Sequence, residues 1–381
     1  MANRDKLHIL VMSAGWQSAL ACIQSYGRNG HLVSVVSDSD KVTEPNSASI
    51  FVKNIMYFKN NRDTERAQEL VSLVKDKGID LVVPVSDHDA VIVAKAKQLY
   101  PKNDAFFSSP VESVLITRSR NRTTDLCRSI GIDTPATVFV THDTAASAVD
   151  KIGFPCFLKL SGSVASRGVF EISDHTEFKE KLARVPKSAE MQLQAKVEGD
   201  LVDITGFASN GLVIQSFAFR CDYEHSHGGT PPYSSRVHDG RLDAILSKIV
   251  KELNWTGGID LDLLQKKDGD YVLMEINPRF SGTTIFPLKL GIDLPMGYVN
   301  LKRNINTIQQ NLAANFDAEH FISLLEESLY LLVAGEAGRQ KAMQFRSDEK
   351  WVDNSFWDDW KYSAALFEYT RMSLLYRRGK A

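Results

Sequence analysis

Two acids sit among the hydrophobes of a short stretch, LDLLQKKDGDYVLMEINPRFSG, residues 261 to 282. Ile259, Leu261 and Leu263 alternate with Asp260 and Asp262. In the return run Val272, Met274 and Ile276 alternate with Tyr271, Leu273, Glu275 and Asn277, so the pattern predicts two strands. Asp268-Gly269 between them signals a two-residue hairpin turn in which both central positions need positive φ. Pairing outward from that turn sets 267 against 270, 262 against 275 and 260 against 277. Asp262 and Glu275 then stand opposite each other on one face. Two such carboxylates repel unless a cation lies between them or one holds a proton. With the Asn277 amide they form an oxygen donor set suited to Mg²⁺ or Mn²⁺. An acid pair alone is more often part of a solvated hairpin face, so the weight rests on what surrounds it.

EINPRFSG, Glu275 to Gly282, resembles the metal-binding signature of ATP-grasp enzymes, the superfamily of biotin carboxylase, carbamoyl phosphate synthetase and D-alanine:D-alanine ligase. The resemblance implies that Asp262, Glu275 and Asn277 hold two Mg²⁺ ions on the phosphates of ATP. It implies too that Arg279 points at the transferred phosphoryl group or an acyl-phosphate. Further segments follow the family order. RSRNRTTDLCRSIG runs into GIDTP at Gly131 to Pro135, similar to the family's helix exit, which puts Arg120 where a phosphate-reaching lysine usually stands, with Arg118 and Arg122 as alternatives. GFPCFLKLSGSVASRGVFEI, residues 153 to 172, resembles the phosphate loop: Lys159 ends a strand, and Ser163, Ser166 and Gly168 belong to a small-residue loop whose amides can approach phosphate. Leu160 replaces the family's proline. MQLQAKVEGD, residues 191 to 200, is similar to the adenine hinge, which assigns the backbone of Ala195, Lys196 and Val197 to adenine and Glu198 to ribose, Asp200 and Asp203 being alternatives.

Residues 217 to 240 carry Arg220 ahead of a Gly-Gly loop, His227 to Thr230, similar to the substrate-covering loop of carboxylate-amine ligases. The resemblance gives Arg220 a bidentate grip on a substrate carboxylate or acyl-phosphate. His225, His227 and His238 with Asp222 and Glu224 lack the spacing of a zinc site, and a flexible loop is the better reading.

These elements need a scaffold. Residues 1 to 115 alternate apolar strands with helical patterns, which predicts a parallel sheet covered by helices. SAGWQSALA at the first strand-to-helix turn has only Gly15, which argues against a nicotinamide dehydrogenase. The expected fold class is α/β: a Rossmann-like domain at 1–115, a two-subdomain ATP-grasp domain at 116–305 and a helical extension at 306–381. Trp16, Asp87, His88 and the 222–236 loop are expected to wall the acceptor site, the competing role for Asp87 or His88 being a helix cap. The aromatic-rich tail is expected to pack on the core, and its basic end, Arg371 to Lys380, offers an alternative contact with an anionic membrane or a partner.

The 381 residues suffice for two or three domains, and a net charge of −2 gives no general attraction to nucleic acid or membrane. Cys22, Cys127, Cys156 and Cys221 form no C-x-x-C pair, LHILVM is too short for a signal peptide, and no run reaches transmembrane length. A cytoplasmic location is therefore expected. No Ser-His-Asp or Cys-His arrangement is visible. The expected activity is an ATP- and Mg²⁺-dependent carboxylate-amine ligase passing through an acyl-phosphate, with amino-acid, peptide or sugar-acid substrates. The alternatives are a small-molecule kinase, a carboxylase, or a nucleotide-binding regulator. Homodimers are common among similar proteins.

Overall fold

The computed structural model describes residues 6–37, 44–160, 168–222, 230–305, 318–324, 327, 336–347 and 350–378. Four strands, β1 (His8–Val11), β2 (Leu32–Val36), β3 (Val52–Met56) and β4 (Leu81–Val83), form a parallel sheet in the order β3-β2-β1-β4. The mostly apolar β1, β2 and β4 are largely buried, as expected of strands covered on both faces, whereas the edge strand β3 exposes Lys53, Asn54 and Ile55. The helix Gln17–Arg28 is buried at every position from Ser18 to Tyr26, because it lies in the core shared by this sheet and the largest one. The helix Asp87–Leu99 starts at a capping box, with Ser86 and Asp89 satisfying each other's backbone amides.

A second sheet is antiparallel and contains β5 (Thr137–Val140), β6 (Cys156–Leu160), β7 (Val169–Ile172) and β8 (Met191–Ala195) in the order β5-β8-β6-β7. The third runs β13-β12-β9-β10-β11-β14-β15 among the described residues. Its strands are β9 (Asp200–Ser209), β10 (Leu212–Cys221), β11 (Tyr233–Val237), β12 (Gly257–Gln265), β13 (Tyr271–Asn277), β14 (His320–Ile322) and β15 (Trp351–Asp353). One face packs on the helix Gly240–Glu252 through Val202, Ile204, Ile259, Leu261 and Leu263. The opposite face turns Phe207, Phe217 and Phe219 toward the N-terminal helix.

Two expectations need correction. The tail is not wholly helical: β14 and β15 extend the large sheet, and the following helix, Trp360–Arg378, is anchored at its start by Asp359. Asp359 is fully buried and accepts from Gln24 Nε2 at 2.7 Å, the Ile50 amide at 3.0 Å and the Ser49 hydroxyl, fastening the tail to the first domain. Short strands of three residues give too little alternation to be read from sequence.

The hairpin turn also differs. The Lys266 amide donates to Asp270 and the Gly269 amide to Lys266, so the loop is three residues long, and only Gly269, at φ 90°, takes positive φ. Counted from that turn alone, Asp262 would miss Glu275. A register shift after Asp262, which leaves Met274 as the extra residue, restores the expected pairs 262 with 275 and 260 with 277. The bulge also switches the side-chain parity of β13. Tyr271, Leu273 and Ile276 face the core, whereas Glu275 and Asn277 share a face with the aspartates.

Candidate active site

Strand register assembles the site. Across β9, β12 and β13 one rung carries Asp203, Asp262 and Glu275, and the next carries Thr205, Asp260 and Asn277. Residues opposite one another share a face and lie about 5 Å apart. One carboxylate oxygen from each of Asp203, Asp260 and Asp262 lies within 4.8 Å of the others. Asn277 Nδ2 donates to Asp262 Oδ1 at 3.0 Å. Asp203 Oδ1 and Asp260 Oδ1 are buried without a hydrogen-bond partner.

Burial first, and then mutual repulsion, raises the carboxyl groups of Asp203 and Asp262 well above the ordinary range. Asp260 is raised to about 7 by burial, against the pull of Arg279. Asp203, considered from sequence only for ribose, belongs to this acid cluster instead. The clue was the one that marks Asp262: a lone acid between strand hydrophobes, here Val202 and Ile204.

Arg279 stands at the end of β13 with a side chain 16% exposed. Its Nη1 reaches Asp260 Oδ2 at 3.2 Å, its Nη2 donates to Asn277 Oδ1 at 3.0 Å, and its Nε lies 3.4 Å from Asp87 Oδ1. Burial opposes its charge, but Asp87, Asp260, Asp262 and Glu275 outweigh that and hold the proton more firmly than usual. The guanidinium also lies 5.9 Å from the Trp16 ring centre. Trp16 and Asp87 thus join the site. His88 does not cap the helix either; its Nε2 lies 2.6 Å from Asp63 Oδ1.

The second sheet brings the basic groups. Lys159 Nζ donates to Gln194 Oε1 at 2.6 Å, and its ammonium is lowered to about 8 by burial and by Arg120, with Glu275 acting in the opposite sense. Arg120 donates through Nη1 to the Leu160 carbonyl at 2.8 Å, beside Lys159. Lys159 is therefore close enough to both Arg120 and Glu275 to sense their charges. Gly168 has φ 78° and accepts from the Leu160 amide at 2.9 Å, closing the base of the loop, while Ser163 and Ser166 lie outside the described residues.

In the hinge, the Lys196 amide donates to the Pro155 carbonyl at 3.2 Å and its ammonium pairs with Glu171 at 2.6 Å. Val197 and Glu198 lie between β8 and β9, and Glu198 pairs with Lys267 at 3.2 Å at the surface. Asp200 is exposed opposite Gln265.

Arg220 is a correction. It pairs with Val202, which points into the helix-packed core, so Arg220 projects from the face opposite Asp203 and contacts Asp222 at 3.3 Å. A one-residue difference in register separates the two faces of a strand. The arginine on the acid-bearing face is Arg236, opposite Phe219, which is itself opposite Asp203; its guanidinium lies 5.4 Å from the Phe217 ring centre. Of the histidines weighed for zinc, His238 lies 3.8 Å from Glu319, and His225 and His227 are outside the described residues, as is Glu224. Of the Gly-Gly loop only Thr230 is described, with its hydroxyl against Gly282.

Solved structures share this architecture. N5-carboxyaminoimidazole synthase from Aspergillus clavatus, in complex with ADP and 5-aminoimidazole ribonucleotide, superposes with a TM-score of 0.63 at 15% identity, covering 81% of this chain and 79% of that one. The biotin carboxylase domain of the Hydrogenobacter thermophilus 2-oxoglutarate carboxylase, solved with MgADP, ADP and bicarbonate, gives 0.63 at 13% identity, covering 79% and 70%. The chain has the ATP-grasp fold. A third ATP-grasp structure, the L-amino acid ligase from Bacillus licheniformis, gives 0.61 at 15% identity over 80% of this chain and 75% of that one. By sequence, the formate-dependent phosphoribosylglycinamide formyltransferase of Ignicoccus hospitalis is 23% identical over 238 residues. That match spans 58% of this chain and 58% of the relative, a little over half its length. No family model matches the sequence. Set on the ATP-grasp fold, the acid rungs lie on the large sheet, and Lys159 reaches toward them from the smaller antiparallel one.

Proposed function

We propose that this chain is an ATP-dependent ligase that activates a small carboxylate and transfers it to an amine. The observation that carries the reading is the opposition of Asp262 and Glu275 on one rung, with Lys159 and Arg120 across the cleft and Arg279 at the strand end. Phosphoryl transfer needs positioned charge more than a covalent nucleophile, and this arrangement supplies it. The donors of Asp262, Glu275 and Asn277 fit Mg²⁺, being hard oxygens on adjacent rungs, and beside them Asp203 and Asp260 each have a buried oxygen without a protein partner. Asp262 and Glu275 would hold it with Asn277, whose amide oxygen here accepts from Arg279. When bound, Mg²⁺ supplies charge neutralisation at the phosphates.

In the proposed reaction a carboxylate oxygen attacks the γ-phosphorus of ATP. The bond to the β–γ bridging oxygen breaks, and its electron pair leaves on ADP. The amine nitrogen then attacks the acyl carbon, phosphate departs, and the nitrogen loses a proton. Lys159 and Arg120 are assigned to phosphate oxygens, and Arg279 to the charge that develops on the transferred group. Ser163, Ser166 and Gly168 are assigned to the phosphates through their backbone, Lys196 and Val197 to adenine, and Glu198 to ribose. Arg236 and Trp16 are placed toward the acceptor.

The relatives' names carry formate and amino acids, which are small carboxylates, and bicarbonate, which presents a similar planar oxyanion, and this supports that substrate class. The test is ADP and phosphate release with Mg-ATP against pooled carboxylates, formate and bicarbonate included, and pooled amines, with mass spectrometry of the products. The expected product is lighter than its two precursors by one water. Release that ignores the carboxylate would refute the reading. Glu275→Gln is expected to abolish turnover with the fold intact.

A further inference from the structure

We infer that Asp359, in the C-terminal tail, is a positioning residue for Trp16 and acts on it through the short segment 44–50. Its effect on turnover rests on the assignment of Trp16 to the acceptor; the link between the two residues does not.

The link is a continuous run of contacts. Asp359 is fully buried and, besides the Gln24 side chain, accepts from the Ile50 amide at 3.0 Å, the Ser49 hydroxyl and the Tyr362 amide at 3.2 Å. Among the described residues no base pairs with it, so neutral donors satisfy it, and a buried carboxyl group tolerates the loss of a donor poorly. Ser49 and Ile50 directly follow the helical turn Pro45–Ala48. Within that turn Asn46 is buried, and its Nδ2 donates to the Ala14 carbonyl at 2.8 Å and to the Trp16 carbonyl at 2.9 Å. Those two carbonyls bracket Gly15, and the Glu44 carboxyl covers Gly15 so closely that a Cβ there would lie 2.8 Å from Oε1.

The turn that carries Trp16 depends on this support. Ser13 takes φ 44°, a conformation that a residue with a side chain keeps only when its surroundings hold it, and the Trp16 amide closes the turn on the Ser13 carbonyl at 3.0 Å. Trp16 makes no side-chain cap for the helix Gln17–Arg28, and its ring, 43% exposed, stands 5.9 Å from the Arg279 guanidinium. Its place is therefore set through the backbone that Asn46 grips. None of the residues assigned to ATP belongs to this run of contacts, so a loss at Asp359 reaches the amine and spares the nucleotide.

The test uses the full chain labelled with fluorotryptophan and read by fluorine NMR without substrates, the Trp16 signal being assigned by Trp16→Phe. That signal is expected to shift or split in Asp359→Asn, Ser49→Ala and Asn46→Ala. It should stay in place in Asp358→Asn, which weakens only the surface pair of the neighbouring tail residue with Arg28. In steady-state assays the first three variants should raise KM for the amine by roughly tenfold and leave KM for ATP within about twofold, the mark of a displaced binding wall. Asp359→Asn combined with Asn46→Ala should be no worse than Asn46→Ala alone, because residues in one network do not add. If Asp359→Asn fails to fold, Ser49→Ala carries the same test from the other end of the bond. A Trp16 signal unmoved by Ser49→Ala and Asn46→Ala overturns the inference, as does an equal rise of KM for ATP and for the amine. ADP release that ignores the amine sinks the ligase reading and leaves the NMR result standing, so the two failures are distinguishable.

Discussion

Arg279 Nη1 lies 3.2 Å from Asp260 Oδ2, tying the end of β13 to the strand beside it. The same guanidinium faces Asp87, Asn277 and the Phe280 carbonyl, a fan of contacts that a single ammonium cannot reproduce. Arg279→Lys is expected to lower turnover by about 10²- to 10³-fold, the cost of losing one oriented charge at a reacting centre. Steady-state ADP release together with circular dichroism checks this. Turnover near that of the parent would remove Arg279 from the reaction.

Lys159 gives a pH dependence. Its ammonium is lowered to about 8, so in the absence of ATP it loses its proton as pH rises through that value. Affinity of the free protein for ATP should therefore fall from pH 7 to pH 9, and Lys159→Met should bind weakly at both. The stability effect has the opposite sense. The unfolded chain holds this proton to higher pH than the folded one, so folding should become more favourable between about pH 8 and the ordinary lysine range. Fluorescent-nucleotide titration and melting curves of parent and variant separate the two. An ATP affinity independent of pH across this window would contradict the placement of Lys159 at the phosphates.

Gly199 sits between β8 and β9, where a Cβ would come within 2.5 Å of the Gln265 carbonyl oxygen. That atom is backbone and cannot swing away. Gly199→Ala is expected to destabilise the chain by about 1–3 kcal/mol and to weaken ATP binding, because the hinge must shift. Chemical denaturation gives the first quantity and nucleotide titration the second; an unchanged unfolding midpoint would show that the hinge yields freely.

The two arginines of β10 and β11 should behave differently. Arg220→Ala should leave turnover within about twofold, as expected of a surface change away from the site. Arg236→Ala should raise KM for the carboxylate or amine and spare that for ATP, since Arg236 shares the acid-bearing face at the far side of Phe219. Equal effects of the two substitutions would undo the face assignment.

Much of the site could be read before the fold was known. Alternation in β12 and β13 gave the Asp262–Glu275 pair, although through compensating departures: the turn is one residue longer than its Asp-Gly signal suggests, and the bulge at Met274 takes up the difference. Hairpin rules see the turn but not a bulge. Asp203 was legible as an acid in a strand yet not as a neighbour of Asp262, because the pairing of β9 with β12 is set by tertiary packing rather than by a local turn. The assignment of Arg220 failed for a related reason. Its face depends on register within a sheet whose order, β9-β10-β11, no local pattern reveals. Asp87 reached the site because Ser86 and Asp89 perform the capping instead.

The tail has a bearing on how the chain withstands shortening. β14 covers the outer edge of β11 along Tyr233, Ser234 and Ser235, and β15 in turn covers β14. A chain cut at residue 305 would keep each residue proposed for catalysis but would leave β11 as an open edge, its amides and carbonyls free to pair with a neighbouring molecule. Loss of the last segment would then appear first as self-association, before any effect on chemistry could be measured.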